Sequence, residues 1–244
     1  MKKQSRCQLR ISIIFSIFAA SLLVTPFAMA QSPEIQQKVA ELKEAMARNK
    51  QALAQYTWME QDIISIKGEE KKEELFDVRL GPDGTAQKTP VDPGMLSDDE
   101  RHRRGLRGKI VDKKIEEYKE YADSIRSLIE QYIPPKSDQL DMAYQQGNIM
   151  VGPQPGMPNQ YRIIVSNYVK QGDKMLLVFD KTQMALVSMA IDTYLDDVTD
   201  TVSVSLGFSA IPGGPNHVES ATINGTRKEL TITIQNGSYR LIGA

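Results

Sequence analysis

The sequence predicts an α+β fold: an antiparallel β-sheet of about nine strands covered by two long amphipathic helices. Three observations predict it. In TVSVSLGFSA, residues 201–210, Val202, Val204, Leu206, Phe208 and Ala210 alternate with Thr201, Ser203, Ser205, Gly207 and Ser209, a period of two that makes one strand face apolar. Two other stretches, 33–55 and the run from Ser97 to Tyr132, repeat apolar residues every three or four positions, the period of a helix with one buried stripe. Short turn signals such as Gln171-Gly172-Asp173 and Asn224-Gly225 separate the alternating segments, as neighbouring antiparallel strands require.

In chain order, residues 1–30 read as a cleavable secretory signal. Lys2, Lys3, Arg6 and Arg10 precede an apolar run from Ile11 to Val24, Pro26 breaks it, and Ala28-Met29-Ala30 places small residues where a signal peptidase reads. Cleavage is expected after Ala30, with a periplasmic or secreted destination and one domain over 31–244. Cys7, the only cysteine, precedes the apolar run, so the exported part has no disulfide, thiolate metal site or lipidated cysteine. The whole chain has 30 Lys+Arg and 31 Asp+Glu; the signal removes four basic residues and no acidic one, leaving a mildly acidic protein. A global nucleic-acid footprint is therefore absent.

Ser32-Pro33 is an N-cap with proline at the first helical position, and Ile35, Val39, Leu42, Met46, Leu53 and Tyr56 form the stripe of the first helix. The period then changes. YTWMEQDIISIK, 56–67, reads as a strand; a charged turn over 68–74 leads to LFDVRL, 75–80, and turn chemistry over 82–84 to TAQKT, 85–89. Trp58, the only tryptophan, is expected in the core of the first strand, with a ligand platform as the other reading.

Residues 96–147 read as a helical insert. Ser97 and Glu100 fit a capping box, and Val111, Ile115, Tyr118, Ala122, Ile125, Ile129 and Tyr132 keep a narrow seam until Pro134-Pro135 stops the helix. Its start is basic: Arg101, Arg103, Arg104, Arg107, Lys109, Lys113 and Lys114, interrupted by Gly105 and Gly108, so that 101–109 reads as loop or frayed turn. This cluster is a candidate contact for an anionic surface or partner; the other reading is a solvated face balanced by Glu116, Glu117, Glu120 and Asp123. A short helix is expected over 138–146 and a loop over 152–158. Strands follow at 160–169, 174–179, 184–195, 201–210, 217–223, 228–235 and 238–242.

No catalytic motif, paired histidine spacing or phosphate loop is present, so no cofactor is expected and the protein is read as non-enzymatic. His102 and His217 are expected at the surface. Asp196, Asp197 and Asp200 lack the regular alternation of a calcium loop and are read as a strand-joining turn.

The helix-to-strand change in ALAQYTWMEQ, 52–61, and the run NYVKQGDKMLLVFDKTQMALVSMAIDTYL, 167–195, resemble the LolA-like superfamily of periplasmic lipoprotein carriers. The NYxKxGD and tYLDD patterns are also similar to those of uncharacterised secreted bacterial proteins. The carrier resemblance implies that the sheet is strongly curved, a half-barrel, with an apolar cavity on its concave face that accepts a lipid or acyl chain, which Trp58, Met175, Phe179, Met184, Met189 and Phe208 would line, methionine being adaptable to irregular ligands. The alternative is an envelope interaction module with a filled core, contacting an envelope protein or anionic membrane surface through 101–114.

Overall fold

The computed structural model describes residues 32–82, 84–91 and 106–243, without the side chains of 106–112. The signal segment, the capping box and Arg101, His102, Arg103 and Arg104 lie outside the described residues; Arg107 and Lys109 fall within a helix whose side chains are not described there.

Helix α1 spans Pro33–Leu53, with the Ser32 hydroxyl accepting from the Ile35 N–H at its start. Ala54 and Gln55 separate it from strand β1, Tyr56–Ile66. Strand β1 turns through Lys67 and Gly68, both at positive φ, into β2, Glu69–Leu80. The charged segment 69–74 is thus strand rather than turn: the hairpin reverses in two residues, and all of Glu69 to Glu74 except Lys71, which sits at a register shift, find ladder partners on β1. Strand β3, Ala86–Pro90, ends this meander.

Helix α2 spans Leu106–Ile129, so helical backbone begins inside the stretch read as loop and includes Gly108. Among the described side chains, the buried face of α2 and the following turn is Tyr121, Ile125, Leu128 and Tyr132; Val111 of the expected seam lies outside them. Ile115 is 41% exposed, so the seam is displaced from the expected one toward Tyr121 and Leu128. Helix α3 is Ser137–Gln145. Strand β4, Ile149–Gln154, occupies part of the expected loop; Pro153 is tolerated there because β4 is an edge strand that needs no donor on its free side. Then follow β5, Met157–Ser166, β6, Lys174–Asp180, β7, Ala185–Tyr194, β8, Thr201–Ala210, β9, Asn216–Gly225, and β10, Leu230–Leu241.

The ten strands form one antiparallel sheet in the order β3-β2-β1-β10-β9-β8-β7-β6-β5-β4. From β4 to β10 it is a plain meander, and β10 then pairs with β1, which carries the first hairpin to the far edge. The two edges do not pair, so the sheet is open. Laid flat, ten strands at about 4.8 Å spacing would extend beyond 40 Å. One contiguous core instead joins inward residues of β4 through β10 to α1, α2 and α3, which requires the sheet to curve around the helices. Tyr161, Ile163, Val165, Met175, Leu177, Phe179, Ile191, Val202 and Val204 are all at most 5% exposed within it. Strand β8 keeps the expected alternation, with Val202, Val204 and Leu206 buried.

Loops pin the helices to this sheet. Asp173, in the turn before β6, accepts hydrogen bonds from the backbone N–H groups of Tyr168, Val169 and Lys170 at 2.6–2.8 Å and from the Tyr132 hydroxyl at 2.6 Å. Asp200 is 4% exposed, accepts from the Tyr121 hydroxyl at 2.6 Å and pairs with Arg227 at 3.1 Å. Burial, reinforced by Asp200, pushes the Tyr121 hydroxyl up to about 12. The acidic loop is thus a turn, but one whose last carboxylate is a buried anchor for α2.

Candidate functional site

The apolar inward face lies beneath α1, which applies a narrow stripe to it. Val39, Leu42 and Ala45 are buried, with Ile35 and Met46 partly so. Toward the C-terminal end of α1 the packing is incomplete. A void of about 50 Å³ remains between the helix and β6–β9, lined by Met46, Phe179, Met184, Leu186 and Phe208, with Asn49 and Asn216 at its rim.

Two asparagines close this rim. The Asn49 side-chain amide donates to the Asn216 carbonyl and its oxygen accepts from the Asn216 N–H, both at 2.7 Å. Asn216 in turn donates through its own side chain to the Leu186 carbonyl at 2.7 Å. This satisfies the polar backbone at the start of β9, a requirement for buried ladder ends. Lys43 of α1 reaches Asp141 of α3 at 2.6 Å, and Lys38 lies over the Tyr161 ring while pairing with Glu41 at 2.8 Å. The Lys38 hydrogen bond holds the Glu41 carboxyl below the usual range despite some burial.

Of the six expected cavity residues, Phe179, Met184 and Phe208 meet at the void. Met175 and Met189 face the same way but are fully packed, at 0% and 2% exposed. Trp58 lies elsewhere: it is buried, yet outside the core beneath the helices, and stacks on Tyr239 with ring centroids 5.6 Å apart. His217 is not at the surface as expected. It is 9% exposed and packs against Tyr239, 4.1 Å ring to ring, with its Nδ1 3.1 Å from the Val218 carbonyl, a ring contact that takes it out of solvent. Sequence reasoning missed Asn49 and Asn216. Neither sits in a motif, and a side-chain bond spanning 167 positions leaves no local signal.

A second, more open groove of about 700 Å³ lies between α2 and the β1–β2 and β9–β10 turns. Its lining mixes Lys67, Arg227 and Lys228 with Glu117, Glu120 and Glu229. Arg227 and Lys228 lie over the Tyr121 and Tyr118 rings and pair with Asp200 and Glu117, so these two cations serve the docking of α2. No group of three or more His, Cys, Asp or Glu side chains suited to a metal ion occurs among the described residues.

No protein-family model matches the sequence, and no curated protein sequence matches it. The chain is similar to a domain from Vibrio parahaemolyticus named for outer membrane lipoprotein sorting, at 8% identity over 86% of this chain and 94% of that one, with a TM-score of 0.41. It is also similar to a DUF1329 family protein from Desulfovibrio piger, at 11% identity over 86% and 94% of the chains and a TM-score of 0.43. A LolA superfamily protein from Nitrosomonas europaea matches at 8% identity over 84% and 93%, with a TM-score of 0.37. All three likenesses lie below a TM-score of 0.5 and at 11% identity or less, so function has to rest on the chain's own geometry.

Proposed function

We propose that this is a secreted, non-enzymatic binding protein that accepts an acyl chain or similar hydrophobic ligand on the inward sheet face beneath α1. The observation that carries the reading is the unfilled contact between α1 and β6–β9, where flexible and aromatic side chains surround a void closed by two asparagines. As it stands the void has room for about one water or a methyl group, whereas ligand pockets run to ~300 Å³ or more. Binding therefore requires α1 to move outward on its two-residue link to β1.

The energies are compatible. Exposing the stripe of Val39, Leu42, Ile35 and Met46 costs roughly 6–9 kcal/mol at ordinary burial values. A bound chain of about twelve methylenes, at ~0.8 kcal/mol each, offsets that. The resemblance of 52–61 and 167–195 to lipoprotein carriers agrees with such a ligand, and the signal-like residues 1–30 agree with a periplasmic destination. An environment-sensitive fluorescent fatty acid tests this. Saturable binding to the wild type that is lost in Phe208→Asp is expected, and a wild type that ignores the probe contradicts the reading.

A second reading has one observation in its favour: the core beyond the void is tightly filled. In that case the helices are permanent, and the basic start of α2, whose Lys113 and Lys114 are exposed, contacts an anionic membrane surface or envelope protein. Charge reversal at Arg103 and Arg104 would then abolish binding to anionic vesicles without changing the fold.

A further inference from the structure

At the β1–β3 end of the sheet, the inward face changes character. Ile64 and Ile66 of β1 pair with Ile232 and Leu230 and belong to the core edge. The next inward positions of the same strand are Asp62, Glu60 and Trp58, and alternation places all three on that face. They are 8%, 6% and 6% exposed. Lys88 of β3 reaches across to both carboxylates, pairing with Glu60 and lying 3.0 Å from Asp62, with its ammonium over the Phe76 ring. Asn236 of β10 is the ladder partner of Glu60, and its side-chain N–H donates to the Val218 carbonyl at 3.0 Å.

Four polar atoms here are buried without a hydrogen-bond partner among the described residues: the Trp58 Nε1 donor and the acceptors Glu60 Oε1, Asp62 Oδ1 and Asn236 Oδ1. Glu60 Oε1 faces the Lys88 ammonium in an ion pair, which leaves three atoms with no partner of either kind. Leaving such a group unpaired costs ~1–3 kcal/mol, so three around one aromatic ledge need an explanation. Trp58, Tyr239 and His217 form that ledge. Burial, and then the Glu60 charge, pushes the Tyr239 hydroxyl above its ordinary range, as expected of a dry corner.

We infer that this corner is a second binding site, distinct from the face beneath α1, for a neutral hydroxyl-rich ligand, a saccharide unit, held by Asp62, Asn236 and Trp58 against the aromatic ledge. The choice follows from what each ligand class offers. Lys88 already occupies the cationic position between the two carboxylates, and an added ammonium has no acceptor for the indole N–H. Two acidic groups against one ammonium disfavour an anion. A hydroxyl both donates and accepts, so the several hydroxyls around a sugar ring can donate to the two acceptors and accept from the indole N–H, with the bond to Asp62 strengthened by its charge. The apolar face of a sugar ring suits an aromatic wall, and concave sites commonly join such a wall to a few placed polar groups. Lys88 extends from a five-residue edge strand and its side chain is 34% exposed, so it is the group that yields to admit the ligand.

Trp58 is the only tryptophan in the chain, so its fluorescence reports this corner alone. The purified protein is titrated in detergent-free buffer with glucose, N-acetylglucosamine, maltose and cellobiose, with methylammonium chloride as the cationic control. A saturable change in emission with at least one saccharide is expected. Asp62→Asn and Asn236→Ser should each weaken it about tenfold or more, the loss of one hydrogen bond to a buried partner, with thermal unfolding by circular dichroism checking the fold. No response to any of the four sugars, an equal response to methylammonium, or affinities unchanged in both variants would overturn the inference. So would ordered water alone on the three atoms in a crystal soaked with the four sugars. The wild-type titration decides even if a variant unfolds, and it is indifferent to whether α1 admits an acyl chain.

Discussion

Replacing Asp173 by alanine should be among the most damaging single changes in this protein. The carboxylate is 2% exposed and accepts four hydrogen bonds, three from successive backbone N–H groups of the Tyr168–Lys170 segment and one from Tyr132. Alanine leaves those three donors without the acceptor that the turn was built around, while the Tyr132 hydroxyl keeps only Thr193 at 2.8 Å. Bonds to a charged acceptor are worth ~1.5–3 kcal/mol each, but they are not additive, and the turn relaxes toward water. A net loss of about 3–5 kcal/mol follows, or roughly 6–15 °C in Tm for a chain of this size. Asp173→Asn keeps one good acceptor and should lose about half as much. Urea and thermal unfolding followed by far-ultraviolet circular dichroism measure both. A loss below about 1 kcal/mol for the alanine variant would refute the view that this carboxylate organises the junction between the end of α2 and the sheet.

Other perturbations separate local roles. Asn49→Ala removes both bonds of the clamp on Asn216; it should destabilise by about 1–2 kcal/mol and speed amide exchange in α1 selectively, while the exchange of β5–β7 stays slow. Gly225→Ala places a Cβ 2.5 Å from Ile125 Cδ1 and 2.8 Å from the Tyr121 hydroxyl, an overpacking expected to cost about 1–3 kcal/mol in Tm measurements, whereas Gly207→Ala meets only the Ser220 hydroxyl at 3.3 Å and should be nearly neutral. Burial holds the Glu60 carboxyl above the usual range, against the opposing pull of Lys88. A raised folded-state pKa means stability present below the unfolded value and lost as pH rises through the folded one. The Tm of the wild type relative to Glu60→Gln should therefore fall as pH rises from the ordinary carboxylate range toward neutrality; a flat difference would contradict the assignment.

How much was legible in the sequence depended on how local the cause was. Alternation in 201–210 and the 3.6-residue period of α1 were readable because each is set by its own residues facing one core. The charged half of β2 was not: Glu69 to Glu74 is a strand only because Lys67 and Gly68 turn tightly and β1 supplies the ladder, so pairing overrode composition. The displaced seam of α2 has a similar origin. Ile115 and Ile125 both fit the period, but among the described side chains of α2 the buried ones begin at Tyr121, where Gly225 leaves space for Tyr121 and Ile125.

The same division holds for the sites. Phe179, Met184 and Phe208 were identifiable as apolar residues of a concave face, but that Met175 and Met189 are sealed while these three border a void depends on where α1 lands. The polar corner was half visible. Trp58, Glu60 and Asp62 occupy alternate positions with Ile64 and Ile66, which places two carboxylates on the buried side of β1. The Tyr239 ledge and the Lys88 bridge depend on pairings that one strand cannot announce.

The central claim is that α1 covers a hydrophobic ligand site that it can vacate. Native mass spectrometry of the protein exported to the periplasm of an expression host and purified without detergent tests it most directly. The account predicts a stoichiometric lipid adduct in the wild type that disappears when Met189 or Phe208 is replaced by aspartate in a variant that still folds. A bare wild-type protein that also takes up no added fatty acid would contradict it, leaving the three helices as permanent parts of a closed core.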